Sequence, residues 1–387
     1  MSVQNCRRLL RLRLLFTPCI RSLATTASTT SHSPQFSSSS SFTVNFLTTS
    51  CGLTPAQALS AARTIHVDEN ARRKPESIII LLRSQGLSDA QISELVARSP
   101  RVLLWAQEKL GPKLQFLTRS GFPLEFIVRD PSVLLRSLDR HIRPRVQFLR
   151  RFLVTAEDVR TMGRRASWCL TYDLGSTMIP NVGLLLELGV ATPAIARLMV
   201  SHPRALMKLH ERFVEKVQIV QDWGVKPDSK MFPHAVRALC ALRESSLAAR
   251  LQLFKQLGWS EEEVRSAFRR SPLFIAVSEH KITRMNSFAR KLGLGPSDLS
   301  RKPILLTFAF DKRILPRYAV WQVLTARGLI EQTTSKLMSM FLNSEKLFMN
   351  GYVRRYMDGV PELMDVYLGK IKVEGFNMGG EESRNKQ

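Results

Sequence analysis

No aspartate or glutamate occurs before Asp68, whereas six arginines do. Arg7, Arg8, Arg11, Arg13 and Arg21 alternate with Leu9, Leu10, Leu12, Leu14 and Leu15, and a Ser/Thr-rich tract follows. An Arg-rich, acid-poor, amphipathic start is the signature of an organelle transit peptide, and the arginines exclude the unbroken apolar core of a secretory signal. Residues 1–41 therefore read as transit peptide and linker. The Arg–Leu alternation points to the mitochondrion, and the Ser31–Ser41 tract keeps the chloroplast as alternative. Cysteine is scarce: five residues with no CxxC pair, two of them in the leader, which argues against a disulfide framework and a zinc site. No apolar run is long enough for a membrane span, so no membrane partner is expected.

Catalytic signatures are missing as well. There is no GxxxxGK[ST], HExxH or GxSxG, and Gly293-Leu-Gly295 lacks the rest of a dinucleotide fingerprint. The seven histidines are scattered, and Glu261 with Glu262 suits the first turn of a helix, where anions are favoured. The expectation is a non-enzyme without cofactor or metal, acting as a monomer. Acids are also few relative to bases, 32 against 57, a formal charge of +25. Without residues 1–67 the excess is still +19, so the leader does not account for it. An excess of that size favours a polyanionic partner.

What the chain does have is a repeat. Ser246 to Phe274 shows its plan: Leu251, Phe254 and Leu257 form one helical face, and Gly258-Trp259 ends that helix. Ser260 with Glu263 caps a second helix, and Pro272 breaks it before an apolar segment. A glycine followed by an apolar residue recurs at 52, 86, 121, 189, 224, 258, 293 and 328, a mean period of 34.5 residues with one glycine missing near Thr155. Thr54, Ser88, Thr192 and Ser260 stand just after such glycines as expected caps. Proline breaks recur at Pro100, Pro131, Pro203, Pro272 and Pro303, 10 or 14 residues beyond the glycine, each followed by an apolar run. Ala166 replaces one break and the unit around Val236 has none. Pro112, Pro144, Pro180 and Pro316 are read as opening first helices. A period of this length implies stacked helical units in one elongated domain. The predicted fold is all-α, a superhelical solenoid of about eight 34–35-residue repeats over 42–368, with a disordered tail at 369–387.

The proline breaks and the period combine with Phe42-Thr-Val-Asn-Phe-Leu, Cys51-Gly52-Leu53, Ser344-Glu-Lys-Leu-Phe348, Tyr352-Val353 and Val360-Pro361. Together they resemble a plant-type member of the mitochondrial transcription termination factor (mTERF) family. The resemblance implies two α-helices and a short 3₁₀ segment per unit, and a concave side that binds double-stranded nucleic acid in an organelle. It implies a role in termination or another step of organelle transcription, or, for some plant members, in RNA splicing. Tetratricopeptide repeats fit less well, since Tyr is absent three residues after each glycine; pentatricopeptide arrays lack the proline break. A scaffold solenoid holding protein partners is the alternative of a different class.

One position of each first helix is mostly basic: Lys113, Arg145, Asn181, Lys216, Arg250, Arg284 and Arg317. Placed in a first turn, cations oppose the helix dipole, so helix stability does not account for them. With the free backbone N–H groups there they would clamp a phosphate once per unit. The six basic members are the expected nucleic-acid contacts, to DNA duplex or to RNA. A second set, Arg98, Arg129, Arg164, Arg165, Arg269, Arg270, Arg301 and Lys302, precedes the breaks, where helix C-termini favour cations anyway. Trp105, Trp223, Trp259 and Trp321 are read as core residues.

Overall fold

The computed structural model describes residues 38–371. Every regular element among them is helical. They form nine helix pairs, from Ser38–Cys51 with Pro55–Ala62 to Leu315–Ala326 with Thr334–Leu342, here numbered units 1 to 9. Eight periods separate nine turns, so this is the expected solenoid. The leader lies outside the described residues except its last four, where the first helix already begins at Ser38. The tail expected from residue 369 is outside them from residue 372 onward.

All eight repeat glycines adopt positive φ, between 67° and 97°. At Gly258 the reason is visible. Trp259 N–H donates to Phe254 O and Gly258 N–H to Lys255 O, both at 3.0 Å, the paired bonds that close a helix C-terminus through a left-handed residue. Unit 4 has Val154 at that position and closes differently, with Arg150 Nη1 donating to Leu153 O at 2.8 Å. Thr54, Ser88 and Ser260 cap second helices with reciprocal bonds from Gln57, Gln91 and Glu263, and Thr155 does the same with Asp158. Thr192 does not cap. It is the first residue of its helix, which begins after Ala191 because Pro193 fills the second position.

The breaks share one backbone conformation. Ser99, Asp130, His202, Ser271 and Lys302 lie at φ from −132° to −152° and ψ from 54° to 80°. That is where the following proline ring pushes a residue out of the α region. Ala166 takes the same shape (φ −150°, ψ 51°) without a proline, and a 3₁₀ segment, Ser167–Leu170, still follows. Here burial of Ala166, Cys169 and Leu170 holds the hinge. The third segments of units 2, 3, 7 and 8 are 3₁₀, that of unit 5 is one α-turn, and unit 6 passes from Phe232–Cys240 through a short turn into the next helix. A break 10 rather than 14 residues after the glycine means a second helix one turn shorter: Glu125–Arg129 and Pro296–Arg301 against ten residues in Asp89–Arg98 and Glu261–Arg270.

Second helices of successive units pack closely, and Gly163 shows how closely. A methyl group added there would overlap the ring of Phe126, itself buried in unit 3 against Phe122. Gly163→Ala is therefore expected to destabilise the chain by about 2 kcal/mol through overpacking, measured as a lowered urea midpoint with unchanged slope.

Candidate nucleic-acid interface

The expected phosphate column changes character once helix starts are observed. Pro112 and Pro180 do not open their helices, which begin at Gln107 and Met178. Pro144 and Pro316 follow π-turns, Leu138–Ile142 and Phe310–Ile314, whose wider winding accommodates a residue that cannot donate a backbone bond. Lys113, Lys216 and Arg250 are each the seventh residue of their helix, two turns from its N-terminus. Neither the dipole argument nor the free N–H groups apply so far in.

Their observed partners are carbonyls at the far end of their own unit. Lys113 Nζ donates to Leu134 O at 2.6 Å, Arg145 Nε to Tyr172 O at 2.9 Å and Arg250 Nε to Val277 O at 2.8 Å. Each bond satisfies a carbonyl at the end of the third segment, or of the turn leaving it, and closes the unit into a triangle. Asn181, the uncharged member, does the same, with Nδ2 donating to Leu206 O (2.9 Å) and Lys208 O (2.8 Å). An amide can fill the post, so the post requires a donor rather than a charge. Unit 8 uses Lys281, bonded to Thr307 O at 2.6 Å. Arg284, one turn along, pairs with Asp311 (2.8 Å) and lies over the Phe310 ring. Burial lowers the pKa of Lys113, Arg145 and Lys281, with Lys109 adding to the effect on Lys113.

Two column members are closed to a phosphate. Arg317 is fully buried, donating to Met340 O, Phe341 O and Asn343 O and pairing with Glu345 at 2.8 Å. Lys216 is 7% exposed beside Cys240, whose thiol burial pushes up to about 12 even with Lys208 and Lys216 nearby. The expectation that these two touch nucleic acid is corrected by burial, while the other four keep part of their surface.

A set of cations with free surface sits one step away, where a third segment or a second helix gives way to the next first helix. Lys109 follows Trp105, Arg136 follows Leu135, Lys208 follows Met207 and Arg243 follows Leu242; all four are exposed. Lys74 is the counterpart of Lys109 in unit 2. No carboxylate or carbonyl bonds these five side chains among the described residues. Lys74 and Lys109 line one cavity of about 410 Å³ with Trp105 and Leu135, which puts units 2 and 3 on a common face. Arg136 is close enough to Arg145 to depress its pKa further, and Arg145 and Asn181 hold the carbonyls of Tyr172 and Lys208. The stripe thus follows the closed corners of successive units. Leu135, Tyr172 and Leu209, all more than 60% exposed, interleave with it. Sequence reading passed over these cations, yet a signal exists: Arg136, Lys208 and Arg243 each come directly after an apolar residue that closes a unit.

The second basic set is partly structural. Arg98 Nη1 donates to Arg129 O (3.5 Å), Arg129 Nη1 to Arg164 O (3.0 Å) and Arg165 Nη1 to Ser201 O (2.9 Å). This arginine ladder joins second-helix ends of units 2 to 5. Trp259 and Trp321 are buried, Trp223 stacks edge-on against Phe268, and Trp105 packs half-buried against the core.

Helix pairs at a 34–35-residue period, most of them closed by a third segment after a hinge, define an all-α repeat solenoid. The chain belongs to the mTERF family, whose model matches residues 35–154 and 146–349. It is similar to the mitochondrial transcription termination factor 3 of Drosophila melanogaster, at 24% identity over 237 residues. That match covers 59% of this chain and 63% of the fly protein, so it spans less than two thirds of that relative.

Proposed function

We propose that this chain binds nucleic acid in an organelle, without catalysis, and regulates expression of the organellar genome at transcription, termination included. The observation that carries the reading is the stripe Lys74, Lys109, Arg136, Lys208 and Arg243, exposed and without carboxylate partners among the described residues, recurring along the stacked units. Cations at that repeat neutralise phosphates without reading sequence, and duplex DNA is the first candidate because its phosphates are regularly spaced. Lys113, Arg145, Arg250 and Arg284 contribute field from behind the stripe. The mitochondrion is supported by the leader composition and by the name of the fly relative; the chloroplast is the alternative. No helix among the described residues is long and apolar enough to cross a membrane.

A 20-base-pair duplex titrated between 50 and 200 mM salt is expected to give a log–log slope of about −4.5 for five phosphates neutralised. A flat response excludes the stripe. Exposed Tyr172 favours a second reading, single-stranded RNA, on whose unpaired bases an aromatic ring can stack. Tighter binding of a single-stranded RNA than of the duplex at equal salt would select it.

A further inference from the structure

The two units that depart from the repeat in sequence border the same cleft. It measures about 860 Å³ and runs across the second-helix side of units 4, 5 and 6. Val154, where unit 4 has no repeat glycine, lines it with three quarters of its surface exposed. The helix Phe232–Cys240, which lacks the usual break after it, contributes Pro233, His234 and Arg237 to the opposite side. Local departures from an otherwise consistent pattern are where function is expected to override fold.

The lining has two characters. Val154, Pro193, Ala194 and Pro233 supply apolar surface, while Arg151, Arg197, Lys230 and Arg237 supply four cations that no carboxylate pairs among the described residues. Against these stand two carboxylates, and Asp158 is already held by its capping bonds with Thr155. Arg237 is half-buried, and loss of water lowers its pKa with no acid to offset it. Neighbouring helices about 10 Å apart make three units a trough of roughly 20 Å, the length of about 13 residues of α-helix.

We infer that this cleft docks an acidic amphipathic segment of a partner protein, its apolar face on Val154 and the prolines and its carboxylates on Arg151, Arg197, Lys230 and Arg237. Nucleic acid fits less well, because much of the lining is aliphatic and would face a hydrated phosphate backbone. The inference is independent of the stripe, whose residues lie at other corners of the units.

The probe is a fluorescent 14-residue synthetic helix of leucine and glutamate in amphipathic order, compared with its lysine-for-glutamate counterpart and with the 20-base-pair duplex. The full chain is expected to bind the acidic peptide at least tenfold more tightly than the basic one. Arg197→Glu with Lys230→Glu should abolish that preference, and Val154→Asp should weaken the acidic peptide severalfold. Duplex affinity should stay within twofold throughout. All three sites are exposed, and unchanged circular dichroism confirms the fold. Equal binding of the two peptides, no binding of the acidic one, or a tenfold loss of duplex affinity on Arg197→Glu with Lys230→Glu would each overturn the proposal, the last by assigning the cleft to nucleic acid.

Discussion

Replacing Lys109, Arg136, Lys208 and Arg243 together by glutamine is expected to weaken duplex binding on the order of 100-fold at 0.1 M salt. It should also flatten the salt slope by about 3.6, since each lost phosphate contact removes about 0.9. All four side chains are exposed and hold no protein group among the described residues, so thermal stability should stay as it is. The paired control is Lys113→Met with Arg250→Met. Those side chains hold the Leu134 and Val277 carbonyls, and their loss should cost about 1 kcal/mol each in stability while leaving most of the salt slope in place. If the control flattens the slope more than the quadruple variant does, the column rather than the stripe carries the phosphates. Both titrations use one duplex and one salt series.

The second large effect is expected at Arg317. Arg317→Met fills similar space but removes the donor to the carbonyls of Met340, Phe341 and Asn343 and the partner of Glu345. It also removes the guanidinium stacked over Phe348. Buried acceptors left without a donor cost about 1–3 kcal/mol each, whereas Glu345 keeps 60% of its side-chain surface and loses little with its partner. Arg313 shares the Phe341 and Asn343 carbonyls and offsets part of the loss, so about 3 kcal/mol is expected from the orphaned carbonyls. The measurement is hydrogen exchange: amides of Leu315–Ala326 and Thr334–Leu342 should lose protection while those of units 2 to 5 keep theirs. Uniform loss of protection along the chain would show that unit 9 does not open on its own.

These two variants also mark how far the sequence could be read. Glycines, caps and proline hinges are local devices, dictated by backbone sterics within four or five residues, and they came through almost intact. Thr192 failed as a cap because Pro193 moved the helix start by one residue. The basic column failed for a related reason. A proline in the second turn, as Pro112 is, looks the same in sequence as one that opens a helix, and the π-turns before Pro144 and Pro316 leave no compositional trace. Misplacing the start by five residues turned an internal donor into an apparent first-turn cation. Nor did spacing reveal that Asn181 and Lys281 do the work of Lys113, because that equivalence lies in the carbonyl reached 25 or so residues away. The exposed stripe was missed because Arg136, Lys208 and Arg243 sit between helices, and Lys74 and Lys109 fall in first turns that begin earlier than the prolines suggested.

The bonds from Lys113, Arg145, Asn181, Arg250 and Lys281 each begin and end within a single unit. Other polar bonds cross the joints. The arginine ladder runs over units 2 to 5, and Arg212 pairs with Glu244 between units 6 and 7. Trp259 Nε1 donates to Asn286 Oδ1 at 2.8 Å between units 7 and 8, and Arg284 pairs with Asp311 between units 8 and 9. Cutting a bond inside one triangle therefore loosens a single unit, whereas cutting a bond across a joint loosens two neighbours at once.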